Sequence, residues 1–157
     1  MRNLIHQLLD KLHRSGRLRT VAGLIGVLWA LPLSLFGLVL ALPIRIVRGR
    51  IDRVSGSVPA LLVRGPLADR LLQRHPFGPM AAMAIGHIVI ARQQGLTAHT
   101  LRHELVHVLQ AARWGPVFPF AYLVASAWAL LHGRRAYWHN RFEIAARKAE
   151  KHFPPES

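Results

Sequence analysis

Apolar and polar positions change register several times along the chain, and each change predicts an element. Over residues 1–20, Leu4, Ile5, Leu8, Leu9 and Leu12 share one helical face, while Lys11, Arg14, Arg17 and Arg19 occupy the rest. This is the pattern of a basic amphipathic segment lying on anionic headgroups, although a helix packed on its own domain shows it too. From Val21 to Ile44 the alternation stops, and 24 consecutive residues carry no charge. About 20 such residues cross a bilayer core, so a transmembrane or membrane-embedded segment is expected over 21–47, kinked at Pro32 or re-entrant.

A folded domain is expected over 54–153. Ser57–Arg64 (SVPALLVR) reads as a short buried strand, and Pro66 opens a helix that runs to about Arg74. His75–Pro79 is a turn, and Met83–Arg92 (MAIGHIVIAR) is a second β-rich run. Leu101, Leu105, Val108 and Leu109 then follow helical spacing, with Thr97 placed to cap the helix and Trp114-Gly115-Pro116 to end it. Val117–Leu131 is apolar but short for a span, which suits a buried or membrane-dipping helix. After a break at Gly133-Arg134-Arg135, a last helix is predicted over Tyr137–His152. The expected class is therefore α+β: a mainly helical domain with a small β-sheet, preceded by an N-terminal membrane segment.

Composition narrows the chemistry. The 157 residues include no cysteine, so any metal must be held by His, Asp or Glu. Lys and Arg number 21 against 7 acids, a net charge of +14. That balance points to nucleic acid or to an anionic membrane surface. A hydrophobic content of 52% and the absence of a nucleic-acid-reading motif favour the membrane and exclude nucleic acid as the expected partner. Both flanks of the apolar segment are basic, so the positive-inside rule gives no clear orientation. The basic remainder of the chain tips the folded domain towards the cytoplasmic side of an inner membrane.

His103-Glu104-Leu105-Val106-His107 carries the candidate chemistry. On a helix, positions i and i+4 stack on one face, so both imidazoles point the same way and can share one Zn²⁺, with Glu104 placed to take a proton from water. Zinc needs a third protein ligand and an open position. The metzincin continuation would require Gly at 110 and His at 113, where this chain has Gln110 and Arg113. Of the acids downstream, Glu156 is in the tail and Glu150 in a mixed-charge stretch. Glu143 sits beside the apolar Phe142, Ile144 and Ala145, where a carboxylate needs a partner. That partner is zinc, or else Arg147 one turn on.

HELVH, with Glu143 lying 36 positions after His107 in Asn140-Arg141-Phe142-Glu143-Ile144-Ala145-Ala146, resembles the compact gluzincin metallopeptidases, over roughly residues 83–149. The resemblance implies His103, His107 and Glu143 as zinc ligands and Glu104 as general base. It also implies that Gly86–Ala91 (GHIVIA) is an edge strand that pairs with an extended peptide substrate. Some gluzincins orient the first His through an Asp four residues after the third ligand, and this chain has Arg147 there. His103 would then need another acceptor, a backbone carbonyl or Asn140. Tyr137 and His139, with His132, are the candidates near the third ligand for stabilising an oxyanion. The expectation is a membrane-associated zinc metallopeptidase acting on a peptide or protein. The alternative is a non-catalytic membrane protein whose zincin-like domain works through interactions.

Overall fold

The structure, a computed structural model, describes residues 16–54, 59–76 and 78–151. Residues 1–15 of the predicted amphipathic segment, and Ser57 and Val58 of the predicted strand, lie outside the described residues. In chain order the elements are α1 (Gly16–Trp29), α2 (Leu31–Ile46), β1 (Arg50–Val54), β2 (Ala60–Arg64), α3 (Pro66–Gln73), β3 (Ala82–Ile85) and β4 (Ile88–Ala91). They continue with α4 (Ala98–Trp114), a 3-10 turn (Gly115–Val117), α5 (Phe118–Leu131) and α6 (Arg141–Lys151).

The strands form one sheet in the order β1-β2-β4-β3, with β2 and β4 parallel and both outer pairs antiparallel. Because side chains alternate across a strand, the sheet presents two apolar faces. Leu62, Val89 and Ala91 meet Val108 and Ala112 of α4 on one face. Val63, Ile88 and Ile90 meet Ala41 and Ile44 of α2, with Ala68 and Leu72 of α3, on the other. Burying each such Val, Leu or Ile side chain contributes about 1.5–3 kcal/mol, so these two layers fix α4 against the sheet.

The sheet differs from the sequence reading in two places. β1 was not foreseen, because Arg50-Ile51-Asp52-Arg53-Val54 is mostly charged and only its pairing with β2 makes it a strand. Met83–Arg92 is not one run but a hairpin turning at Gly86-His87, with Gly86 at φ 58, where a side chain is strained. The edge therefore belongs to Ala82–Ile85. Gly86–Ala91, expected at the edge, supplies the interior strand β4, because the turn returns the chain between β3 and β2.

The uncharged segment is two helices meeting at 67°, with Pro32 in the first turn of α2. Ser34, Gly37, Ala41 and Ile44 form a buried stripe of α2. α2 thus shares the core of the domain while its other side, including Leu35, Val39 and Leu42, stays exposed. By length and composition, the stretch Ala98–Leu131 is apolar enough to cross a membrane, and α1 with α2 meets that test only as a bent pair. α5 is not a buried helix, since most of its large apolar side chains are exposed.

Candidate metal centre

α4 begins where the sequence indicates, with the Thr97 hydroxyl accepting a hydrogen bond from the Thr100 N–H at 3.0 Å. One face of the helix buries His103, Glu104, His107, Gln110 and Ala111, and Val108 anchors it to the sheet. The two histidines are held one turn apart on a helix that is fixed along most of its length.

The third residue arrives on α6, whose start is set by Asn140. Its Oδ1 accepts from the Phe142 N–H at 2.9 Å, the usual service of an N-cap. Its Nδ2 donates to the carbonyl of Tyr122 at 3.0 Å and to Ser126 Oγ at 2.8 Å, tying α6 to α5. The helix therefore begins at Arg141, four residues later than the sequence pattern suggests, and Glu143 falls in its first turn, 3% exposed.

His103 Nε2 and His107 Nε2 face each other at 3.0 Å. Glu143 Oε2 lies 3.2 Å from the first and Glu143 Oε1 3.2 Å from the second. Four-coordinate zinc with bonds of about 2.0–2.1 Å sets neighbouring ligand atoms about 3.3 Å apart, close to the observed edges. Glu143 Oε2 is also buried with no well-formed hydrogen bond, His103 Nε2 standing at 3.2 Å and Arg147 Nη1 at 3.7 Å, a position that a bound cation satisfies. His103, His107 and Glu143 thus form a group able to hold a metal ion. The donor set of two imidazoles and one carboxylate suits zinc.

Neighbouring groups orient the donors. His107 Nδ1 lies 2.8 Å from Gln110 Oε1, and Gln110 Nε2 donates to the Phe142 carbonyl at 3.0 Å. An amide oxygen can only accept, so Nδ1 carries the proton and Nε2 keeps its lone pair for a metal. The Tyr122 hydroxyl donates to Glu143 Oε1 at 2.8 Å. Phe142 packs edge-on to Phe118 and stacks with Tyr122, closing the apolar side of the site. Arg147 Nη1 stands 3.7 Å from Glu143 Oε2, a loose ion pair beside the histidine contacts.

Charge is distributed unevenly among these groups. Burial would raise the Glu143 carboxyl, but His103 and His107 beside it hold it well below the ordinary carboxylate range. Burial would lower His107, yet Glu143 outweighs that and raises it. Glu104 is raised, first by burial, against the opposing pull of the two histidines. Its carboxylate accepts from the Ala84 N–H of the edge strand β3, which links the candidate base to the strand nearest α4.

The other predicted residues divide. Tyr137 is half-exposed and bonded to Glu143, and burial together with that carboxylate pushes its phenol up to about 12. His139 is exposed and bonds back to the Arg135 main chain, and His132 bonds to the Trp128 carbonyl, so both hold local turns. Asn140 is not the acceptor for His103, because its polar atoms serve Phe142, Tyr122 and Ser126. Sequence reasoning missed Gln110 and Tyr122. Tyr122 had left a signal: with Phe118 and Ser126 it marks one face of an otherwise aliphatic helix. Comparison with protein-family models, curated proteins and solved structures finds no match, so the geometry of this group is what carries a functional reading.

Proposed function

We propose that the chain is a membrane-associated zinc metallopeptidase that hydrolyses peptide bonds, with His103, His107 and Glu143 as ligands and Glu104 as general base. The observation that carries this reading is the convergence of two Nε2 atoms and one carboxylate at 3.0–3.2 Å, with a buried Glu beside the first histidine. A zinc ion in this set supplies Lewis acidity that polarises a carbonyl and acidifies water.

The chain's own groups do the rest. The raised pKa of Glu104 suits a group that takes a proton from water and returns it to the departing amine. Gln110 keeps His107 in the tautomer that presents Nε2, and Tyr122 holds the carboxylate of Glu143. The Tyr137 hydroxyl, beside Glu143 and open to solvent on one side, is the donor best placed for an oxyanion. The outer edge of β3 has no strand partner among the described residues, and an extended substrate backbone fits there by strand addition. Full-length wild type and Glu104→Gln should each bind about one zinc, and only wild type should cleave casein or a peptide library. Zinc binding by both with cleavage by neither would make the domain an interaction module.

A further inference from the structure

We infer that the outward face of α5, continuous with the exposed sides of α1 and α2, is a seat for an anionic lipid leaflet, and that α5 lies along this interface over the metal centre without crossing the membrane. The inference rests on the membrane part of the preceding reading and is independent of peptidase chemistry.

α5 has two unlike faces. Phe118, Tyr122, Ser126 and Ala129 turn towards the protein, where Tyr122 and Ser126 are bonded to Glu143 and Asn140. Phe120, Leu123, Val124, Trp128 and Leu131, the other stripe, are between 62% and 81% exposed. A crossing helix meets lipid around much of its circumference, whereas an interfacial helix buries one face only. Its 14 residues reach about 21 Å, against about 30 Å of hydrocarbon, and the preceding half of the Ala98–Leu131 stretch is committed to the sheet and the metal group.

The exposed apolar surface does not stop at α5. At Gly115, in the 3-10 turn before α5, the indole of Trp29 at the end of α1 occupies the space of a side chain, and a φ of 56 suits glycine there. Beyond that junction α2 exposes Leu35, Phe36, Val39 and Leu42. Between α2 and β1 lies an open apolar groove of about 330 Å³, lined by Leu35, Leu38, Leu42, Ile51 and Arg45, which suits part of an acyl chain. Soluble monomers rarely expose contiguous apolar patches beyond a few hundred Å². Arginines mark where the surface ends: Arg45 in the last turn of α2 with Arg48 and Arg50 just beyond it, and Arg134 and Arg135 after α5, all exposed. Apolar stripes ending in arginine within a chain of net charge +14 match acyl chains bordered by anionic headgroups. Tyr122 and Val124, two residues apart, lie on nearly opposite faces of α5, so the metal group lies about one helix diameter, ~10 Å, from the leaflet.

The full chain contains no cysteine, so single nitroxide labels are placed without background. Phe120→Cys, Leu123→Cys, Val124→Cys and Ala127→Cys sample the outward stripe, Ala125→Cys and Ala129→Cys the inward one, and Gln94→Cys an exposed loop. The labelled proteins are reconstituted in vesicles of phosphatidylcholine and phosphatidylglycerol, and collisions with oxygen and with an aqueous nickel chelate are compared. The expected result is an oxygen-to-nickel ratio several-fold higher on the outward stripe than at position 94, with the inward stripe shielded from both reagents. Nickel access at 123 and 124 equal to that at 94 overturns the seat, as do lipid exposure on both stripes or dipolar broadening at Leu123→Cys that persists at lipid excess and reveals a second copy. Flotation on the same vesicles separates the failures: a chain that does not float loses the membrane reading as a whole, whereas one that floats with a wet α5 loses only this inference.

Discussion

The Tyr122 hydroxyl donates to Glu143 Oε1 at 2.8 Å, across 21 residues and between two helices. α5 thereby has a direct hold on the third donor of the metal group. Replacing Tyr122 by Phe keeps the ring on Phe142 but frees Glu143 Oε1 from its donor. Zinc affinity should then fall by about 10–100-fold, the usual effect of losing a group that orients a ligand. Competition with a chromophoric chelator reads this directly, and an unchanged affinity would mean that Glu143 is held by other contacts.

Asn140 is fully buried and joins α5 to the start of α6 through three hydrogen bonds. Asn140→Ala should lower the stability by about 2–3 kcal/mol, combining a lost N-cap with unpaired buried groups on Tyr122 and Ser126. Denaturant unfolding measures the loss. Asn140→Asp should recover part of it, because the capping oxygen remains while both donated bonds are gone.

Without metal, His107 is raised above 6.5, through Glu143 against the effect of burial, and Glu143 is held below 4.5 by the histidines against burial. The His107 contribution to stability is complete below pH 6.5 and is lost as pH rises through its folded value. That of Glu143 is complete above pH 4.5 and is lost as pH falls through its folded value. Glu104, raised by burial, acts in the opposite sense, stabilising most below 4.5. A metal must therefore displace the His107 proton near pH 6.5. Calorimetry in buffers of different ionisation enthalpy should find about one proton released from this residue per zinc, declining towards zero well above its folded pKa. A proton count that does not change with pH would contradict this assignment.

How much of this was legible in the sequence follows from how local each signal is. The spacing of His103 and His107 and the Thr97 cap are properties of one helix, and both appear in the structure as the sequence suggests. Pro66 likewise opens α3. Glu143 was reachable because few acids lie downstream and its neighbours are apolar. β1 was hidden because three of its five residues are charged and its strand character comes from pairing with β2. The hairpin was hidden because the alternation runs through the turn at Gly86. The roles of Tyr122, Gln110 and Asn140 depend on contacts 14 to 32 residues away, which no periodicity reports.

The proposed activity turns on whether His103, His107 and Glu143 hold one zinc ion together. Zinc-edge X-ray absorption on the purified full chain tests it most directly, alongside metal content. The expected result is about one zinc per chain, two imidazole nitrogens and light oxygen donors at about 2.0–2.2 Å, and loss of one imidazole signature in His107→Ala. A chain that retains no zinc, or whose zinc environment is unchanged by His107→Ala and Glu143→Ala, would contradict it.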